Sequence, residues 1–131
     1  MKTIAYSIAP ALRPVAGKDV WEVSRDWFVY VRGCQFVIRD GFKTDGASIP
    51  RMLWRVCGHP MATGRIIPAL VHDAIYDGEI QGFTRAEADS IYRDGLVEGG
   101  WPKWKAYVEW AAIRAFGAKH WNEDYNLEDE D

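Results

Sequence analysis

Pro68-Ala69-Leu70-Val71-His72-Asp73-Ala74-Ile75-Tyr76-Asp77-Gly78, followed after a short link by Thr84-Arg85-Ala86-Glu87-Ala88-Asp89-Ser90-Ile91-Tyr92, is the stretch that decides the fold. Pro68 suits the first turn of a helix, where its missing N–H would have no intrahelical partner, and Gly78 supplies the stop. Thr84 and Glu87 have the capping-box spacing, in which hydroxyl and carboxylate each satisfy the other residue's backbone N–H. These signals predict helices over about 68–77 and 85–98, the second ended by Gly99-Gly100. The short glycine-containing link favours antiparallel packing of the two. Pro102 opens a third helix, over about 102–116, closed by Gly117.

Upstream, the period changes from helical to β. Val20–Ser24, Phe28–Val31 and Gln35–Ile38 are short β-branched and aromatic runs separated by Arg25-Asp26 and Arg32-Gly33-Cys34, and Thr3–Ile8 alternates as an edge strand would. The expected architecture is α+β: a small antiparallel β-meander of three or four strands within about 3–39, a loop over 41–50, then three α-helices. Residues 1–121 form one expected domain. Residues 122–131 carry six carboxylates and no basic group, whereas residues 1–121 carry 16 basic and 13 acidic residues. That segment reads as a solvated acidic tail able to dock on a basic surface.

Composition excludes several classes. Cys34 and Cys57, without a secretory signal pattern, argue for a reducing compartment and against a disulfide framework. No apolar run approaches a membrane span, so the expected place is the cytoplasm of the producing cell, with no membrane insertion. The net charge of −3 speaks against nucleic acid as a partner, although Arg51 and Arg55 flank Trp54 and Lys103 and Lys105 flank Trp104. Cys57-Gly58-His59 matches no zinc spacing, and Walker, dinucleotide and Gly-x-Ser-x-Gly patterns are absent from the sequence.

Helical geometry sorts the candidate site. At about 100° per residue, Val71, His72 and Ile75 share one face, Tyr76 lies at its edge, and Asp73 and Asp77 turn away. A buried imidazole needs a partner for each nitrogen, and Asp89 on the neighbouring helix can face it. Such a pair is either a general base with its orienting partner or a structural network. In the loop, Thr44, Asp45 and Ser48 sit on a constrained Asp-Gly turn. The candidate catalytic residues are therefore His72, Asp89 and Asp45. Asp73 and Asp45 are the candidate ligands for calcium or another divalent cation, and Thr44, Ser48, Tyr76 and Trp104 are candidate binding residues. Trp101, Trp104, Tyr107 and Trp110 are too many large rings for one helix face, which leaves some of them to dock a partner.

The sequence Gly41-Phe42-Lys43-Thr44-Asp45-Gly46-Ala47-Ser48-Ile49-Pro50, then Ala69–Tyr76, then Ala86-Glu87-Ala88-Asp89 and an aromatic-rich last helix, resembles the domain of unknown function numbered 1353 over about residues 20–117. That resemblance implies a protein encoded by a tailed bacteriophage or prophage, and names no reaction. His72-Asp73-x-x-Tyr76 alone resembles the catalytic helix of secreted histidine–aspartate phospholipases. It implies His72 as the base, Asp73 as a calcium ligand and Asp89 as the orienting group. The functional expectation is a virion-associated or tail-morphogenesis accessory protein that binds other phage structural proteins, present in the host cytoplasm and then in the virion. The alternative is a hydrolase, metal-assisted or not, and the third reading is an inhibitor that binds a host enzyme.

Overall fold

The structure, a computed structural model, describes residues 2–16, 20–44 and 64–121. Among the described residues six strands precede three helices, in the α+β class: β1 (Ile4–Ala5), β2 (Leu12–Pro14), β3 (Trp21–Val23), β4 (Trp27–Val31), β5 (Cys34–Ile38), β6 (Lys43–Thr44), α1 (Ile66–Asp77), α2 (Arg85–Glu98) and α3 (Lys103–Phe116). A 3₁₀ turn, Ala118–His120, follows α3.

The strands divide between two antiparallel three-stranded sheets, ordered β1-β4-β5 and β2-β3-β6, where a single meander was expected. Val20–Ser24 does not pair with Phe28–Val31. Its Val23 N–H donates to Phe42 O at 2.8 Å and its carbonyl accepts from Gly41 N–H at 2.7 Å, so the start of the expected loop becomes the ladder partner of β3. Ser24 N–H meanwhile bonds Ala11 O, and Asp40 N–H bonds the Asp26 carboxylate, so the chain crosses from one sheet to the other at Arg25. Pro14, which lacks a ladder donor, is accommodated because β2 is an edge strand.

β4 alternates strictly, with Trp27, Val29 and Val31 buried and Phe28 and Tyr30 exposed. Arg32 and Gly33, both at positive φ, turn it into β5 as a two-residue type I′ hairpin requires. The helices start and stop close to their signals. Gly78 at φ 89° ends α1, and the Thr84–Glu87 capping box opens α2 with bonds of 3.1 and 2.9 Å. α1 begins two residues before Pro68, after Arg65. α2 lies between α1 and α3, and Ile38, Leu70, Val71, Ile75, Ile91, Leu96 and Ile113 close the core with Val23 and Val29 of the sheets. Gly95 permits this approach: a Cβ there would stand 2.9 Å from Ile4 Cδ1. Among the described residues, no helix is long and apolar enough to cross a membrane.

Candidate functional site

The middle of α1 and the first turns of α2 place His72, Tyr76 and Asp89 on facing apolar stripes, and all three are buried. His72 Nε2 lies 2.8 Å from Asp89 Oδ1, and the same oxygen accepts from the Tyr76 hydroxyl at 2.6 Å. Asp89 Oδ2 accepts from Arg114 of α3 at 2.9 Å. One carboxylate thus gathers three donors from two other helices, which is how a buried charge is tolerated.

These partners set the ionisation states. Burial pushes Asp89 up, but the imidazole, the phenol and the guanidinium outweigh it and hold Asp89 below the usual carboxylate range. For His72, burial disfavours the imidazolium, yet Asp73 and Asp89 prevail and the pKa lies above its ordinary value. Burial and the adjacent Asp89 raise the Tyr76 phenol, which remains a neutral donor. With Asp89 anionic, Nε2 carries the hydrogen it donates, so the neutral ring presents its lone pair at Nδ1.

Nδ1 has no hydrogen-bond partner among the described residues, although it is fully buried. The nearby group is Asp73 Oδ1 at 3.9 Å, too far for a hydrogen bond but close enough for charge to act. Asp73 in turn accepts from the Thr44 hydroxyl of β6 through its other oxygen. Thr44, Asp73 and Tyr76 line an open cavity of 630 Å³, with Asp77, His120, Phe42 and Lys43 among its other described walls. Asp77 is raised by burial and then by the nearby charges of Glu79 and Asp73.

Of the candidate residues, His72, Asp73, Asp89, Thr44 and Tyr76 are brought together, and Trp104 stands apart, exposed on α3. Asp45 and Ser48, like Cys57, His59 and the Arg51-Trp54-Arg55 cluster, lie outside the described residues. Among the described residues, no three His, Cys, Asp or Glu side chains are grouped so as to hold a metal ion.

Sequence reasoning missed Arg114, which came from a helix not considered part of the site. It also missed a second buried network, in which Glu109 accepts from Tyr92 OH at 2.5 Å and pairs with Arg65. The signal for that network was present. Glu109 falls three residues from both Ala106 and Ala112 on the buried face of α3, where a carboxylate requires a cation. Arg85 has a different role, donating to the carbonyls of Ile113 (3.2 Å) and Arg114 (2.7 Å) at the end of α3.

Residues 21–113 match the family described as Protein of unknown function (DUF1353). The chain belongs to that family. The matched span contains His72, Asp73, Tyr76 and Asp89 and ends one residue before Arg114. Two proteins of Sinorhizobium fredii (strain NBRC 101917 / NGR234) are similar. Uncharacterized protein y4jT is 28% identical over 76% of this chain and 30% of its own length. Uncharacterized protein y4iH is 33% identical over 70% of this chain and 38% of its own length. The chain therefore spans about a third of the length of these relatives. No solved structure matches it.

Proposed function

We propose that this DUF1353 domain is a hydrolase whose proton-transferring group is His72, oriented by Asp89. The observation that carries this reading is Nδ1, which is buried and has no hydrogen-bond partner among the described residues. A purely structural histidine gains by bonding at both nitrogens, and a buried orphan needs an explanation, of which a catalytic role is one. Nδ1 is closed to solvent but lies 3.9 Å from Asp73, a wall of the 630 Å³ cavity, so a water held against Asp73 and Thr44 would reach Nδ1, and lose its proton to it, once a small side-chain shift opens that gap. The water oxygen would then form the bond to the acyl or phosphoryl centre, and the imidazolium would return the proton to the leaving group. Tyr76 and Arg114 are positioning residues that keep Asp89 ionised and in place.

The test is turnover on a panel of ester, amide and phosphodiester substrates, comparing the wild-type chain with a folded His72→Gln variant. The reading expects at least one substrate class to be turned over, with kcat lowered by about 10²–10⁴ in the variant. It expects kcat/KM to rise with pH through a value above 6.5, because the base form must be neutral and His72 is raised. Equal rates in the two proteins, or an inert wild type across the panel, would contradict it.

A second reading, compatible with the first, is an accessory protein that binds other proteins. It is favoured by Trp104 and Tyr107, exposed by 58% and 50% on α3. The setting we propose for it is the virion or tail of a bacteriophage or prophage, and it rests on the resemblance carried by Gly41–Pro50 and Ala69–Tyr76. Loss of co-purification of a phage structural protein in Trp104→Ala would support it. Retention of the same partner by that variant would remove its basis.

A further inference from the structure

The outward face of α3 carries Trp104, Tyr107, Ala111 and Ala115 in one stripe, with exposed Phe116 at its end. A solvent-facing helix surface ordinarily carries charge there. The bordering charges are mostly cationic. Lys103 and Lys105 stand at the start of the stripe and Lys119 just beyond its end; Lys105 lies over the Trp101 and Trp104 rings at 5.9 and 5.6 Å and its charge also reaches the inward-turned Glu109. Arg93 of α2 stacks over Tyr107 at 4.9 Å and shares its charge with Asp94 at 3.1 Å. Glu109, the acidic residue of α3, is turned inward against Arg65.

The opposite charge lies in the same chain. Residues 122–131 hold six carboxylates, no basic group, and the apolar side chains of Tyr125 and Leu127. We propose that the outward face of α3 is a docking surface for an acidic, aromatic-bearing segment, and that its occupant is residues 122–131 of this chain. Charge and apolar character both match: carboxylates against the flanking lysines, Tyr125 and Leu127 against Trp104 and Tyr107. The reach is sufficient. The stripe from Trp104 to Phe116 is about 18 Å long at the helical rise, and ten extended residues span about 33 Å. Trp121, the residue before the segment, follows the end of α3 and meets Tyr76 edge-on at 5.1 Å. This inference is independent of the acid–base reading, and it bears on the second one, because a protein partner at Trp104 would have to displace the tail.

Nitrogen-15 NMR of the full chain tests it. As salt rises from about 20 to about 500 mM, which shortens the screening length several-fold, the Trp104 indole N–H and the amides of residues 123–131 should shift together. A full-length variant with Glu123→Gln, Asp124→Asn, Glu128→Gln, Asp129→Asn, Glu130→Gln and Asp131→Asn should show Trp104 at its high-salt position already at low salt. Lys103→Glu with Lys105→Glu should release the tail amides in the same way. A Trp104 resonance indifferent to salt and to tail neutralisation would overturn the proposal. So would a shift that grows with protein concentration alongside a dimer in light scattering, which would give the face to a second copy.

Discussion

Asp89 and Glu109 are two buried carboxylates held by almost the same donors. Asp89 receives Tyr76 and Arg114, and Glu109 receives Tyr92 and Arg65. Yet Asp89 is held below the ordinary carboxylate range, whereas burial raises Glu109 despite its Tyr92 and Arg65 partners. The difference is His72. It adds a third donor and a second positive charge at Asp89, and it extends that network through Asp73 to the cavity wall. Arg65, Tyr92 and Glu109 are as fully buried as His72 and Asp89, and none of the three lines that cavity, whose described walls include Asp73. The contrast teaches that a buried ion pair is weak evidence of function by itself. What marks His72 is a titratable ring linked through Asp73 to the wall of a cavity.

Four changes would break or sharpen that contrast. The largest stability loss is expected at the sealed network. Arg65→Met leaves Glu109 uncompensated and should cost about 3–5 kcal/mol in urea denaturation, much of it recovered in Arg65→Met with Glu109→Leu. If the double variant is as unstable as the single one, the network is more than a charge pair. Asp89→Asn should cost about 2–3 kcal/mol. It should also bring the His72 pKa down, because it removes one of the two charges that oppose burial. An unchanged histidine titration in that variant would mean that Asp89 does not govern it.

The pH dependence comes third. His72 is raised, so its contribution is complete below its ordinary value of 6.5 and disappears as pH climbs through the folded-state value. Asp89 is lowered, so its contribution is complete above 3.8 and disappears as pH falls through its folded-state value. Wild type should therefore gain most over His72→Gln at mildly acidic pH, and the difference between their unfolding free energies should shrink on the alkaline side. A constant difference from pH 5 to 9 would contradict the ionisation assigned to His72. The smallest effect is expected on α3. Trp104→Ala removes an exposed side chain and should change stability by no more than about 0.5 kcal/mol, measured by the same denaturation.

Much of the helical layer was legible because its punctuation is local. The Thr84–Glu87 box, Gly78 and Pro102 each act within one turn, and helical periodicity put His72 on the buried side of α1. Antiparallel packing across the short link was enough to bring Asp89 opposite it. The sheets were less legible, because pairing is non-local. Nothing near Val23 announces that its ladder partner is Gly41-Phe42 rather than the next strand, and a two-residue strand such as Lys43–Thr44 has no period to read. Arg114 was missed for a similar reason. An arginine in the last turn of a helix ordinarily serves the helix's own end, and in this fold Arg85 from α2 takes that role while Arg114 turns to Asp89.

The central claim is that His72 is a proton-exchanging centre with Nδ1 directed toward the cavity wall rather than a sealed structural group. Nitrogen-15 NMR of the His72 ring across a pH titration tests it without requiring a substrate. The account predicts a pKa above 6.5, a neutral form with hydrogen on Nε2 and the lone pair on Nδ1, and rapid solvent exchange at Nδ1 in the protonated form. A ring that keeps one protonation state from pH 5 to 9, or an Nδ1–H in slow exchange, would contradict it and place His72 with Arg65 and Glu109 among the purely structural groups.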